Sequence, residues 1–437
     1  MNGSLQLLHK LIDSGSCDTG FVRLYGEGGL QAQKQRYCTM LSWASARFAE
    51  SAALFVSAPG RTELGGNHTD HNNGRVLAAA VDLDCVALVT PNDSNAVDLY
   101  SADLDHHINL DLNILEPQSA EPGTPESLVR GVAAALKNQS CTIGGFTGIV
   151  DSTCKPGSGL SSSAAFSLLA GAAFAYFYNE QRVRPVELAH AARSAENVFF
   201  GKPCGLMDQL SSAVGEVAAI DFKNPEEPII TKITADFDKS DFQLVIIDTG
   251  SSHAELTAEY AAIPDEIQQA LQVFGRQAAR GLSMQNIFDR LAEIRTRAGD
   301  RALLRLMHFV CEDDRAQRQA DALQQGRFYD FLELVKQSGA SSCNLLQNCV
   351  PHSKSRNQGV LLALALTTQI CPGAICRVHG GGFAGTIQAY IPRPEFENYK
   401  LRMESVFGDC SVLPVKIGRP GISLLSETGW CFPADNR

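Results

Sequence analysis

No segment restricts the fold of this chain more than PGSGLSSSAAFSLL, Pro156 to Leu169. The strand-like run FTGIVDST precedes it, and a long apolar helical run, AAFSLLAGAAFAYFYNE, follows directly. The chain must therefore turn from strand into helix through a loop where Gly157 and Gly159 let backbone N–H groups point inward. Ser161, Ser162 and Ser163 add hydroxyls. Inward N–H groups and the positive end of a helix make an anion site that needs no basic side chain. The expectation is a nucleotide phosphate cradled by Gly157, Ser158, Gly159, Leu160, Ser161, Ser162 and Ser163. On this segment alone a plainer reading stands beside it: a Gly/Ser loop capping a buried helix, with Ser161 or Ser162 as N-cap.

The pattern G-x-x-x-x-G-K-[ST] of the common NTPases is absent, and no lysine follows the glycines. Neutralising phosphate charge then falls largely to a metal ion, with Mg2+ held through a hard oxygen ligand. AENVFFGKPCGLMDQLSS supplies two isolated carboxylates, Glu196 and Asp208, among Phe199, Phe200, Leu206, Met207 and Leu210. Carboxylates in such surroundings are costly unless paired or metal-bound. A surface Glu and a capping Asp is one reading. The other places Glu196 on Mg2+ with a serine hydroxyl and lets Asp208 receive a hydroxyl proton. Arg61 fits beside Asp208, keeping it ionised and stabilising charge between nucleophile and phosphate. One carboxylate, one cation and one phosphate cradle suffice for phosphoryl transfer.

A second glycine cluster, APGRTELGGNHTDHNNG from Ala58 to Gly74, lies between apolar runs and reads as a loop crowded with polar groups that a core would reject. His68, Asp70 and His71 can be read as metal ligands, the glycines as an anion wrap, or the polar groups as a grip on a sugar. The metal reading leaves the phosphate loop unexplained. A third cluster, HGGGFAG from His379 to Gly385, formally matches G-x-G-x-x-G. The alternating TIQAYIP that follows is a strand, not the helix a dinucleotide site needs. A glycine hairpin closing on the nucleotide or the loop is expected instead.

Helical periodicity marks LQLLHKLI and QKQRYCTMLSWASARFAES, and strands are expected at ALFVSAPG, VLAAAVDLDCVALVTPND and FQLVIIDTG. The stretch from Asp265 to about Gln347 reads as largely helical. Irregular alternation with hairpins predicts an α+β fold rather than a doubly wound sheet. The polar KNPEEPIITKI after Phe222 suggests domains at 1–222 and 223–437. Trp43, Phe55 and the run Leu88–Pro91 stand as equal candidates for an adenine pocket. A net charge of −11 without a basic run argues against nucleic acid as a partner. Thirteen scattered cysteines without a C-x-x-C pair, no signal-peptide pattern and no bilayer-length apolar run predict a soluble cytoplasmic protein away from membranes.

Taken in order, the Gly-Arg…His-Thr-Asp segment, PGSGLSSSAA, GLMDQ and GGGFAG resemble the motifs of the GHMP small-molecule kinases, and of the galactokinases in particular. They span Ala58 to Gly385. The resemblance implies an N-terminal domain like domain 2 of ribosomal protein S5, a C-terminal domain containing a ferredoxin-like part, and an active site in the cleft. It implies ATP-dependent phosphorylation of the anomeric hydroxyl of galactose; a monomer or weak homo-oligomer is expected. By position, Gly157–Ser163 bind ATP, Ser163 and Glu196 hold Mg2+, and Asp208 and Arg61 are catalytic. Asn67, His68, Thr69, Asp70, Gly205 and Tyr260 bind the sugar. Galactokinases usually read Gly-Arg-[Val/Ile]-Asn-Leu-Ile-Gly-Glu-His-Thr-Asp-Tyr-Asn, whereas this chain reads Gly-Arg-Thr-Glu-Leu-Gly-Gly-Asn-His-Thr-Asp-His-Asn. Asn67 replaces the Glu near carbon 6, His71 replaces Tyr, and Ala384 replaces a Gly. Two alternatives follow: a kinase of a 6-modified hexose such as galacturonate, and a sugar- and ATP-binding sensor without turnover.

Overall fold

The computed structural model describes residues 4–47, 52–250, 256–351 and 356–433. Three amphipathic helices, α1 (Ser4–Asp13), α2 (Asp18–Tyr25) and α3 (Leu30–Ser45), lead into strand β1 (Leu54–Gly65). The sequence pattern missed α2, and residues 48–51, predicted to continue α3, lie outside the described residues. β1 runs straight through Pro59, Gly60 and Arg61, and all twelve of its residues are buried. The expectation of a core-rejected loop beginning at Ala58 is thus corrected. Ladder bonds to β2 (Arg75–Pro91) satisfy much of the β1 backbone, with register shifts at Pro59/Arg61 and Glu63/Gly65.

The first sheet continues with the hairpin β3 (Ala96–Ser101) and β4 (His106–Asp111), then helix α4 (Pro125–Asn138), strand β5 (Phe146–Ser152) and helix α5 (Ser162–Tyr178). Next come α6 (Pro185–Ser194), a π-helical turn over Ala195–Phe200, α7 (Met207–Val214), β6 (Val217–Asp221) and β7 (Ile229–Ile233). α5 is apolar on every side, and Ala164, Ala165, Ala170, Gly171, Ala172 and Ala173 let neighbouring elements approach closely. Strand alternation divides β1 between two cores. Leu54, Val56 and Ala58 pack with α5, whereas Phe55 packs under the N-terminal helices with Phe21, Tyr37 and Leu41.

The second half of the chain supplies β8 (Phe242–Asp248), α8 (Thr257–Leu271), the short α9 (Met284–Phe288), and α10 (Leu291–Gln324), which Gly299 kinks at φ +87°. α11 (Phe328–Ser341), α12 (Gly359–Ile370), the hairpin β9 (Ile375–Val378) and β10 (Thr386–Pro392), α13 (Phe396–Phe407) and β11 (Val412–Pro414) follow. The strands form a second, antiparallel sheet in the order β11-β8-β10-β9. The chain then returns to the first sheet, where β12 (Ser423–Ser426) pairs with β1 and β13 (Gly429–Cys431) pairs with β12. A division at residue 222 therefore does not follow the sheets, since β7 and the C-terminal strands belong with the first half. The α+β class holds. All thirteen cysteines are free thiols, and among the described residues no helix is long and apolar enough to cross a membrane.

Asp84 on β2 is wholly buried and collects a charged knot from α2, α3, β1 and the segment before the C-terminal strands. Tyr25 and Ser57 donate hydroxyls to it at 2.7 and 2.5 Å, and Arg36 and Arg419 pair with it at 2.8 and 3.0 Å. Arg36 also reaches the side chain and carbonyl of Asp151 at the end of β5. Burial opposes the charge on Asp84, but the two guanidinium groups outweigh it and hold its pKa at about 2. Asp84→Asn leaves Arg36 and Arg419 buried against a neutral amide, and unfolding in denaturant should show a loss of about 3–5 kcal/mol. The folded-state pKa lies below the ordinary 3.8, so this contribution is present above about pH 4 and fades as pH falls toward about 2. Acid unfolding of the Asn variant should be correspondingly shallower over that window.

Candidate active site

The turn after β5 is held at its root by Thr153 N–H and Cys154 N–H donating to the carbonyl of Asp84. Beyond it Gly157 and Gly159 adopt φ of +84° and +73°, a region open to glycine at little cost. A Cβ on Gly159 would also lie 2.1 Å from Thr386 Oγ1 of the second sheet. Ser161 stands at the N-cap of α5 with φ +61°, yet no side chain caps the helix. Its Oγ donates instead to Asp208 Oδ2 at 2.7 Å. The capping reading is therefore set aside: the Ser161 hydroxyl is spent on Asp208, and the first turn of α5 keeps backbone donors free of side-chain partners. Leu160 belongs to this loop through its backbone alone. Its side chain is buried in the core, and its carbonyl accepts from Arg61 N–H at 3.0 Å.

Asp208 lies in the first turn of α7, where the helix dipole favours a negative charge. Arg61, projecting from β1, meets it with two nitrogens: Nε donates to Oδ1 at 2.7 Å and Nη2 lies 2.5 Å from Oδ2. The remaining Arg61 nitrogen, Nη1, donates to the carbonyl of Gly159 at 2.7 Å, tying carboxylate and phosphate loop to one planar group. Burial would raise the pKa of Asp208, but Arg61, Lys202 and the Ser161 hydroxyl prevail and hold it below the ordinary carboxylate range.

Glu196 sits in the π turn, an irregularity that recurs at functional sites. It is 1 % exposed, and its Oε1 accepts from Ser163 Oγ at 2.5 Å. Gln209 Nε2 donates to the other oxygen, and Lys202 Nζ lies 3.3 Å from Oε1. Two oxygen donors in contact, one from the helix start and one a carboxylate, suit a hard cation that keeps most of its water. Sequence reasoning passed over Lys202 and Gln209. The available signal was their position, six residues after Glu196 and one after Asp208, in the same glycine-containing turn.

The segment after Arg61 divides into two groups. Asp70 leans on Gly205, where a Cβ would lie 1.7 Å from Oδ2. His68 is at φ +58°; its Nε2 contacts the carbonyl of Gly381 at 2.9 Å, and its buried Nδ1 has no protein partner. Burial, with His71 alongside, pushes the His68 imidazole down to about 3, so it is neutral. Tyr260 donates to the carbonyl of Gly382 at 2.8 Å, its ring packed on Gly381. These groups share one wall with the glycine hairpin of the second sheet.

Asn67 and Thr69, expected on the sugar, have side chains engaged by protein groups. Both are wholly buried. Asn67 Nδ2 donates to Glu63 and to the carbonyl of Gly380, while its Oδ1 accepts from Ser342 and Asn348. Thr69 donates to the carbonyls of Gly66 and Arg75. Phe55 and Leu88, offered for an adenine pocket, are buried beneath the N-terminal helices, and Trp43 packs against the same core. The β1–β2 layer separates that core from α5.

Residues 45–91 match the galactokinase galactose-binding signature, and residues 127–216 match the GHMP kinases N terminal domain. Over these two stretches the chain carries the signatures of the GHMP kinases. Among solved structures, the galactokinase of Lactococcus lactis in complex with galactose is similar at 24% identity and a TM-score of 0.73, covering 91% of this chain and 99% of that one. The mevalonate kinase of Methanococcus jannaschii is similar at 16% identity and a TM-score of 0.54, covering 84% and 97%.

Against the usual galactokinase pattern, Glu and Asn have changed places: Glu63 stands where Asn is usual and Asn67 where Glu is usual. The two touch, Asn67 Nδ2 lying 3.2 Å from both Glu63 oxygens, and Arg377 of β9 closes the cluster by pairing with Glu63. Asn67→Glu alone puts two carboxylates together without water and should cost about 2–4 kcal/mol in denaturant unfolding; Glu63→Asn alone strands Arg377 and should cost about 3–5 kcal/mol. The double exchange restores one carboxylate and one amide. It should recover stability to within about 1 kcal/mol of the original, and strictly additive losses would show that the pair is not coupled.

Proposed function

We propose that the protein transfers the γ-phosphoryl group of ATP to the anomeric hydroxyl of galactose, or a closely similar hexose, yielding the sugar 1-phosphate and ADP. One observation supports this above the others: Asp208 is bridged to the phosphate loop twice, by Ser161 and through Arg61 to Gly159. A hydroxyl placed on Asp208 then stands beside the phosphate cradle. Asp208 is a weak base, so it orients the hydroxyl and takes its proton as the new P–O bond forms, while Arg61 stabilises charge arising between them. Mg2+ on Ser163 and Glu196 would supply neutralisation of the phosphate oxygens. Asp70, the orphaned Nδ1 of His68, Gly205 and Tyr260 supply sugar contacts. Asn67, with its amide spent on protein groups, offers nothing to carbon 6, so the reading that it selects a 6-modified hexose loses its support. The sensor alternative keeps the fold but has no use for an Asp208 held ionised against the loop.

The direct test is ADP release with purified protein, ATP and Mg2+ across a panel of hexoses. Galactose should give the highest kcat/KM, and Asp208→Asn should lower kcat by about 10²–10⁴-fold. Equal turnover in both proteins would sink the assignment of Asp208. The pKa of Asp208 lies below its ordinary value, so kcat/KM should show no acid limb from this group above about pH 5. Arg61→Met removes the principal counter-charge, burial then raises the Asp208 pKa, and a pH–rate profile should show an acid limb moving upward. Gly205→Ala pushes the Asp70 carboxylate away and should raise the sugar KM at least about tenfold while ADP affinity, measured by calorimetry, stays put.

A further inference from the structure

Between Gly157 and Ser163 the phosphate loop carries no lysine or arginine. Lys155, just before it, is turned to Asp103 at 3.6 Å. A cation nevertheless stands on the facing wall. Gly201 closes the π turn at φ +82°, and the N–H groups of Gly201 and Lys202 both donate to the carbonyl of Glu196. This tight return folds the Lys202 side chain back over the turn. Its Nζ lies 3.3 Å from Glu196 Oε1, the same oxygen that accepts Ser163 Oγ. The ammonium also lowers the pKa of Asp208, so it acts on both carboxylates that border the loop.

An architectural role is a poor explanation for this lysine. Its side chain is 55% exposed, and Glu196 already has Ser163 and Gln209 as buried partners. Solvent reaches the pair at its lysine end and screens it, which limits what it adds to stability. The four-carbon stem is flexible and can swing from Glu196 to another anion without disturbing the core. On the kinase reading, a transferred phosphoryl group passes beside the loop, Glu196 and Asp208.

Resting on the kinase reading above, we propose that Lys202 is a catalytic residue that contacts the γ-phosphoryl group of the bound nucleotide. It supplies from the opposite wall the fixed positive charge that the phosphate loop lacks. The lysine stays protonated throughout and exchanges no proton with substrate; its effect is Coulombic, and it grows as charge gathers on the oxygens around the migrating phosphorus.

The test separates the third phosphate from the first two. Calorimetry with a non-hydrolysable ATP analogue and with ADP, each in Mg2+ and in EDTA, should show Lys202→Met losing at least about tenfold affinity for the analogue and less than about twofold for ADP. Its kcat should fall about 100-fold with the melting temperature unchanged, and Lys202→Arg should recover part of both losses. Equal weakening of both nucleotides, seen only in Mg2+, would overturn the proposal and reduce Lys202 to a support for Glu196. Unchanged affinities with kcat within about threefold of the original would overturn it as well. If the unaltered protein phosphorylates no hexose, the kinase reading fails, and the difference between the two nucleotides decides the phosphate contact by itself.

Discussion

Glu63 and Arg377 face one another across the boundary between the two sheets with 1 % and 0 % of their surfaces exposed. Charges so placed are stabilising only when geometry and hydrogen bonds are complete, and the seam around them is built accordingly. Gln388 donates to Thr62 and to the carbonyl of Glu63. His379, its imidazole kept neutral by burial, joins Thr62 to Thr386. Glu312 accepts from the N–H groups of Gly66 and Asn67, and His308 contacts the carbonyl of Asn67. A slip of one residue between the sheets would strand several of these groups, so the seam admits a single alignment.

From that alignment the position of every candidate functional loop follows. It sets Thr386 against Gly159, brings the carbonyls of Gly381 and Gly382 to His68 and Tyr260, and presents Arg61 from β1 toward Asp208. The Asp84 knot performs a similar service from the other side, anchoring the end of β5 where the phosphate loop begins. A phosphoryl-transfer site draws most of its effect from positioned groups rather than from reactive ones. Buried charge clusters on both sides of the loop are a physical means to that end, because their partners cannot drift without exposing an unpaired charge.

The polar side chains between Arg61 and Asp70 thus serve two purposes that composition does not separate. His68 keeps an orphaned nitrogen and Asp70 has His71 at 3.5 Å, whereas Asn67 is consumed by the seam and Thr69 by the turn it closes. The Glu63/Asn67 exchange keeps one carboxylate and one amide in the same cluster, so the charge balance around Arg377 survives a change in which strand position bears the charge.

Read by itself, the sequence determined the α+β class, the strand–loop–helix around Gly157–Ser163, and the pairing of Arg61 with Asp208. The first two depend on local periodicity and glycine conformational freedom, properties of neighbours along the chain, whereas the third joins residues 147 apart and followed from the roles their motifs imply. Only the tertiary structure decided that β1 continues through the polar segment, that the Asn67 amide meets Gly380, Ser342 and Asn348, and that the C-terminal strands rejoin the first sheet. The reason is distance along the chain. A buried polar group is admissible only if partners hundreds of residues away arrive to satisfy it, as Arg377 does for Glu63 and Asn348 for Asn67, and no local pattern records whether they do.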